Sequence, residues 1–253
     1  MMKIYYSRLQ IELTRRCNQS CAHCCRGEAQ NLDLTEDIVN AFFEKNDIYY
    51  IGTLLFSGGE PTLNGKMLEY IVDKIIKKEI IVNMFMFGIN GLSYSEELVN
   101  GLNKLKDYII LKSEPRSQCP GLLMISQDQF HKEADPKVIE KLKKLSYFSP
   151  IDKQQMREEN ILPYGRALEN GLSKQKQDFS KLINYENSFK IKEHENNTYL
   201  VINYQYISAN GNIANDGCQS YDLMDEYALG NVKNQSIEEI YTKGLAKKLV
   251  LKY

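Results

Sequence analysis

The sequence predicts an α/β fold built on a parallel sheet, and three observations carry that prediction. Strand-like and helix-like runs alternate over the first 150 residues, the links between successive strands are long enough to hold a helix, and the unusual residues cluster after strand-like runs. Parallel neighbours need long, right-handed crossovers. Sheets of that kind take their ligands beyond the carboxyl ends of the strands.

The elements follow in order. Ser7 to Leu13 reads as a first strand ending at Thr14, with a cysteine-rich loop directly after it. Ile38, Val39, Phe42 and Phe43 form a helical stripe behind Thr35, an expected N-cap. Thr53 to Phe56 is a buried-strand pattern stopped by Ser57, Gly58, Gly59, Glu60 and Pro61. A helix over about Lys66 to Lys78 repeats Leu68, Ile71, Val72, Ile75 and Ile76 on one face. Ile80 to Phe87 is the third strand, ended by Gly88, Asn90 and Gly91, and Ser95 to Lys106 a helix capped by Ser95. Asp107 to Gln118 fits either more helix or a strand. Gly121 to Ser126 makes a fourth strand, Pro136 to Leu145 a helix, and Tyr147 to Ile151 a short strand.

Composition narrows the class. At 253 residues, 43% hydrophobic and 26% charged, the chain has the usage of a folded globular protein. Lys and Arg number 32 against 33 Asp and Glu, a balance that gives no support to nucleic-acid or anionic-lipid binding. The best apolar run, Ile80 to Ile89, is broken by Asn83 and Gly88 and is shorter than the roughly 18 residues of a membrane span. Lys3, Ser7 and Arg8 interrupt the start, which therefore does not read as a signal peptide, and a cytoplasmic location is expected. In such a compartment six cysteines, four of them between positions 17 and 25, point to metal or redox chemistry rather than disulfides.

Cys17, Cys21 and Cys24 are separated by three residues and then two, with Cys25 adjacent. A structural zinc site commonly uses two separated ligand pairs, so this trio suits zinc poorly, although a zinc knuckle completed by Cys25 or His23 stays open. Three thiolates on one tight loop instead suit a four-iron cluster with one iron left for another ligand.

The C-x-x-x-C-x-x-C run of Cys17, Cys21 and Cys24, followed after the next strand by Gly58, Gly59, Glu60 and Pro61, resembles the radical S-adenosylmethionine (SAM) superfamily. The resemblance covers about Arg8 to Ala167 and implies a partial (β/α)6 TIM-like barrel. It implies a [4Fe-4S] cluster on the three cysteines and S-adenosylmethionine chelating the open iron. In it, Gly58 and Gly59 let backbone approach the methionine moiety, Glu60 accepts from its amino group, and Pro61 fixes the turn. His23 matches a position near adenine. Ser126, two residues before Asp128, matches a serine that contacts the cofactor carboxylate or ribose. Asn90 matches the Asn-Gly after strand three, and Arg166, within Pro163 to Ala167, a guanidinium within reach of the SAM carboxylate. An electron donor such as flavodoxin or ferredoxin is implied too.

The boundary is placed at 168, with 1–168 the barrel and 169–253 a linker plus a small α+β extension. Glu169 to Lys192 is polar and reads as linker or surface helix. Thr198 to Ile207 alternates as a strand, Ala209 to Asn212 is a hairpin turn, and Ser236 to Leu249 is a closing helix. Ile207 to Ile213, Cys218, Leu229 to Val232 and Ser236 to Ile240 resemble the SPASM or twitch extension of peptide-modifying relatives. Outside the trio only Cys25, Cys119 and Cys218 remain, too few and too scattered for a second four-iron site, with Cys25 expected to lie away from the extension. The resemblance thus favours an enzyme acting on a peptide or protein residue. A glycyl-radical-enzyme activase, or a regulatory protein that binds cluster and SAM without catalysis, is the alternative.

Overall fold

In the first strand β-branched and aromatic side chains alternate with polar ones, which is the pattern of a strand with one face against helices. In the computed structural model, which describes residues 2–112, 120–149, 155–177 and 189–242, that strand is β1, Lys3–Thr14. It is followed by α1 (Glu36–Glu44), β2 (Asp47–Gly58), α2 (Gly65–Lys77), β3 (Ile81–Ile89), α3 (Glu96–Lys112), β4 (Gly121–Ile125), α4 (Pro136–Leu142) and the short α5 (Gly165–Glu169). The second part holds β5 (Phe189–His194), β6 (Asn197–Ile207), β7 (Asn212–Ala214), α6 (Tyr221–Glu226) and β8 (Gly230–Asn231), with residues 237–242 forming α7.

The strands lie in the order β4, β3, β2, β1, β6, β7, β8, with β5 paired antiparallel to β6. The pairs β1–β2, β2–β3 and β3–β4 are parallel, as the alternation predicts. The sheet stays open, so the barrel is partial. Where the resemblance implies six strand–helix units, the described residues of the region to 168 hold four regular parallel strands and one further parallel bridge, from Leu123 to Phe148. The strand expected near Tyr147 to Ile151 is that bridge, and 150–154 lie outside the described residues.

One face of the sheet carries the core. Leu9, Ile11 and Leu13 of β1, Leu54 and Phe56 of β2, and Phe85 and Phe87 of β3 pack with Phe42 and Phe43 of α1, Leu68, Ile71 and Val72 of α2, and Leu102 and Leu105 of α3. The alternate residues, including Leu55, Met84, Met86, Leu122 and Met124, face the concave side and stay half-buried. Thr35 takes the N-cap backbone conformation of α1 but its side chain makes no capping bond, whereas Ser95 Oγ accepts from Leu98 N at 3.2 Å as expected. The ambiguous stretch after Asp107 continues α3 to Lys112, and 113–119 lie outside the described residues.

The C-terminal part joins the same sheet. β6 runs parallel to β1 in continuous register from Lys3 opposite Tyr199 to Ile11 opposite Ile207. Phe189, Leu200, Ile202, Ile237, Ile240 and Tyr241 belong to the core that the barrel helices share. The end of the expected polar linker is in fact strand β5, and 178–188 lie outside the described residues. The expected turn at Ala209 to Asn212 is present, with Gly211 at φ +87° between β6 and β7. Of the helix expected over Ser236 to Leu249, residues 237–242 are described.

Candidate active site

The loop after β1 is held at its base by the turn after β2. Gly59 N donates to Thr14 O at 2.8 Å and Glu60 N to Arg16 O at 2.7 Å. A Cβ on Gly59 would sit 2.3 Å from Arg16 O, so only glycine lets the two segments meet. The glycine requirement expected from a bound ligand is thus already imposed by the protein's own backbone. Gly165, at φ +51°, does the same from the other side: a Cβ there would lie 2.4 Å from Gly27 N and 2.7 Å from Cys25 O. Next to it Arg166 Nε donates to Cys21 O at 3.0 Å and Nη1 to Glu28 at 3.1 Å. Arg166 is committed to holding the cysteine loop.

Glu60 is 1% exposed. Its Oε1 accepts from Thr62 N and Thr62 Oγ1, and its Oε2 from Asn90 N at 2.9 Å, which ties the end of β2 to the end of β3. Burial pushes its pKa up, against these hydrogen bonds, which favour the ionised form. Asn90 is likewise engaged through Nδ2 to Asn18 and through Oδ1, which accepts from Leu92 N.

These strand ends surround a cavity of about 690 Å³. Cys17, Cys21, Cys24, His23, Gly58, Gly59, Glu60, Asn90, Ser126 and Arg166 all line it. Pro61 does not; it is buried as the first residue of a 3-10 turn, Pro61–Asn64. The sequence reading missed Gln19, Arg26, His131 and Tyr221, which also line the cavity. Gln19 Oε1 accepts from Cys21 Sγ and from Lys132 N, joining the loop to the segment after β4. His23 stacks on Phe130 with centroids 4.7 Å apart, and its Nε2 lies 3.4 Å from Asp128, which also approaches His131 Nδ1 at 2.8 Å. Burial lowers the pKa of His23, Asp128 opposing it. No motif marks His131, Arg26 or Tyr221, since each reaches the cavity from a loop or helix start whose position only the fold fixes.

The three thiols form no disulfide. Burial, and then the mutual proximity of Cys24 and Cys17, pushes the Cys21 thiol up to about 11, and Cys17 is raised as well. Thiols that oppose each other's ionisation at such range are suited to a cation that takes their protons' place.

The extension also reaches this loop. Tyr221 N donates to Arg26 O at 3.2 Å, and Cys218 lies near enough to help raise the Cys25 thiol, which burial chiefly pushes to about 11. Cys25 is therefore not remote from the extension, contrary to the expectation from sequence.

Comparison with known proteins identifies the first part of the chain. Residues 11–112 match the family model of the Radical SAM superfamily. The match runs from within β1 to the end of α3, the part of the chain that holds the cysteine loop and the Gly-Gly-Glu turn. A curated protein of Bacillus subtilis (strain 168), named "Putative peptide biosynthesis protein YydG", is 28% identical over 110 residues, 40% of this chain. The chain spans about a third (34%) of that relative's length. Among solved structures, BtrN in complex with AdoMet and 2-DOIA superposes with a TM-score of 0.53 at 16% identity, covering 95% of this chain and 83% of BtrN. The enzyme anSMEcpe with bound AdoMet and Cp18Cys peptide gives 0.56 at 14% identity, covering 94% and 80%. At such identity the likeness is one of fold, and it extends over the C-terminal part as well as the radical SAM domain. Radical SAM domains work with a [4Fe-4S] cluster and SAM, and the donor set here fits them: three adjacent thiols, and a cavity within the range of about 300–1,000 Å³ typical of cofactor sites. No helix among the described residues is long and apolar enough to cross a membrane.

Proposed function

We propose that the chain is a radical SAM enzyme that reductively cleaves SAM at a [4Fe-4S] cluster held by Cys17, Cys21 and Cys24, and removes hydrogen from a residue of a peptide or protein. One observation carries the reading: three free thiols converge on a cavity that the ends of β2, β3 and β4 also line. A three-cysteine cluster with an open iron, and a cofactor beside it, need such a wall.

When bound, the cluster and SAM supply a 5′-deoxyadenosyl radical that takes a hydrogen atom from the substrate. The chain binds, orients and shields. Arg166, Gly165 and the Gly59–Glu60 turn hold the cysteine loop against the strand ends, so that cluster and cofactor meet in fixed geometry. The ring of His23, neutral at pH 7 and stacked on Phe130, offers an aromatic surface to adenine. Ser126, exposed at the end of β4, is a polar contact for the methionine or ribose part. Ile89, Met124, Ile125 and Leu162 add apolar lining that helps keep water away from a reactive intermediate.

A peptide or protein substrate is favoured over activation of a glycyl radical enzyme by the name of the curated relative and by the extension that lies against the cavity. A cytoplasmic flavodoxin or ferredoxin would supply the electron. The test is product analysis with anaerobically reconstituted protein under strong reductant. 5′-Deoxyadenosine and methionine above a cluster-free control are expected, and their absence, or stoichiometric zinc without iron and sulfide, would overturn the reading.

A further inference from the structure

Four arginines gather at the cysteine loop, and three of them meet acids. Arg15 pairs with Glu12 and Asp225, Arg16 with Asp33, and Arg166 with Glu28. Arg26 forms no ion pair among the described residues, although Glu12 and the Cys25 thiol are near enough to act on its charge. Its guanidinium carbon lies 4.9 Å from the ring centroid of Tyr206 and 6.0 Å from that of Tyr221, and its Nη1 is 3.0 Å from Met224 Sδ. Its carbonyl accepts from Tyr221 N, so the residue is pinned at both ends. Arg26 lines the cavity, and among the described residues no carboxylate accepts a hydrogen bond from it.

Tyr221, 2% exposed, lines the cavity too and holds Arg26 from the extension side. A cation taken from water without a counter-ion costs several kcal/mol. Tyrosine faces recover part of that and hold the fork in place. What they cannot supply is an acceptor for its N–H groups, and a carboxylate supplies two in the matching plane.

We propose that Arg26, held against the rings of Tyr206 and Tyr221, is the recognition point for a carboxylate inside the cavity, carried by the peptide substrate. The source rests on the function proposed above: in the resemblance that supports it SAM is chelated to the open iron, and Arg26 lies on the side of the cysteine loop that meets Tyr221 of the extension rather than at the strand ends of β2 to β4.

The test uses the reconstituted full chain with SAM and two acetylated, amidated probes, Gly-Gly-Glu-Gly-Gly and its Gln counterpart, measured by calorimetry. The glutamate probe should bind at least ten-fold tighter. Arg26→Gln should remove the difference while SAM affinity stays within two-fold, and Arg26→Lys, which keeps the charge without the fork, should fall between. In the unaltered chain, phenylglyoxal modification read at Arg26 by mass spectrometry should be slowed by the glutamate probe and not by the glutamine one, which holds even if Arg26→Gln fails to fold. Equal binding of both probes with no protection of Arg26 would overturn the inference. A ten-fold loss of SAM affinity in Arg26→Gln, without discrimination between probes, would overturn the substrate assignment and give the site to SAM's carboxylate. These are binding readouts: a chain that cleaves SAM but ignores the carboxylate sinks only this inference, and one that discriminates the probes without cleaving SAM sinks only the enzymatic reading.

Discussion

The two walls of the cavity differ in how far they are finished. At the ends of β2 and β3 the polar groups are engaged with one another: Glu60 takes three hydrogen bonds, Asn90 uses its amide on both sides, and Gly59 and Glu60 donate to the base of the cysteine loop. On the side of the extension, Tyr221 lines the cavity with its hydroxyl buried and unpartnered, and Arg26 forms no ion pair among the described residues. Buried polar atoms normally have partners, and each one left without costs about 1–3 kcal/mol. One wall is organised before anything binds, which suits a cofactor used in every turnover. The other, on the inference drawn above, would be completed by a substrate that comes and goes.

The largest test removes what both walls surround. Replacing Cys17, Cys21 and Cys24 by alanine should take iron from about four per chain to background, and SAM cleavage with it. A cluster that survives would place the ligands elsewhere and dissolve the comparison.

The next probes the finished wall. Gly59→Ala puts a Cβ 2.3 Å from Arg16 O and 2.9 Å from Arg15 O, backbone atoms that cannot step aside, and should cost about 1–3 kcal/mol. Gly88→Ala, also on the cavity, meets only Ser126 Oγ at 3.9 Å and should leave thermal stability nearly unchanged. Equal melting temperatures for the two would mean that the turn does not clamp the loop.

Asp225→Asn asks how firmly the extension is tied to β1. Arg15, 1% exposed, donates to Asp225 through Nη1 and Nη2, to Glu12, to Gln30 and to Ser208. Burial would raise the Asp225 carboxyl, but the bonds from Arg15, Asn210 and Asn212 outweigh it and hold the pKa below its ordinary 3.8. A depressed carboxyl stabilises the folded state above its unfolded pKa and loses that contribution as pH falls through the folded one. Chemical denaturation should therefore find the variant less stable by about 1 kcal/mol near pH 7, the half-exposed carboxylate being partly screened. The gap should close below about pH 4, and a gap independent of pH would exclude the ion pair as its cause.

The smallest effect is expected from Cys119→Ser with Cys218→Ser, which should leave iron near four per chain. Because Cys218 lies close to Cys25, a higher iron content that falls in the double variant would reveal a second cluster on the extension side.

What was legible in the sequence was whatever repeats with a short period or sits in a fixed spacing. The strands and helices to Leu142 were readable because their apolar residues recur every two or about every 3.6 positions. The cysteine trio and the Gly-Gly-Glu turn were readable because their spacing survives without the fold. Arg26 and Tyr221, far apart in sequence, meet only because β6 lies beside β1, and no local pattern encodes a pairing at that distance. At Gly59 and Arg166 the motif by itself suggests a ligand, while the fold adds contacts with the chain's own backbone that no local pattern encodes.

The pairing of β1 with β6 also bears on how the molecule comes into being. Lys3 cannot meet Tyr199 until β6 has left the ribosome, so β1 waits far longer for this neighbour than for β2. Until then its far edge offers a row of unpaired N–H and C=O groups, a template for other chains. Such long-range closure slows folding and prolongs exposure to aggregation. A fragment ending at residue 168 would keep that edge permanently open, which makes the C-terminal strand an internal safeguard on the solubility of the half that carries the cysteines.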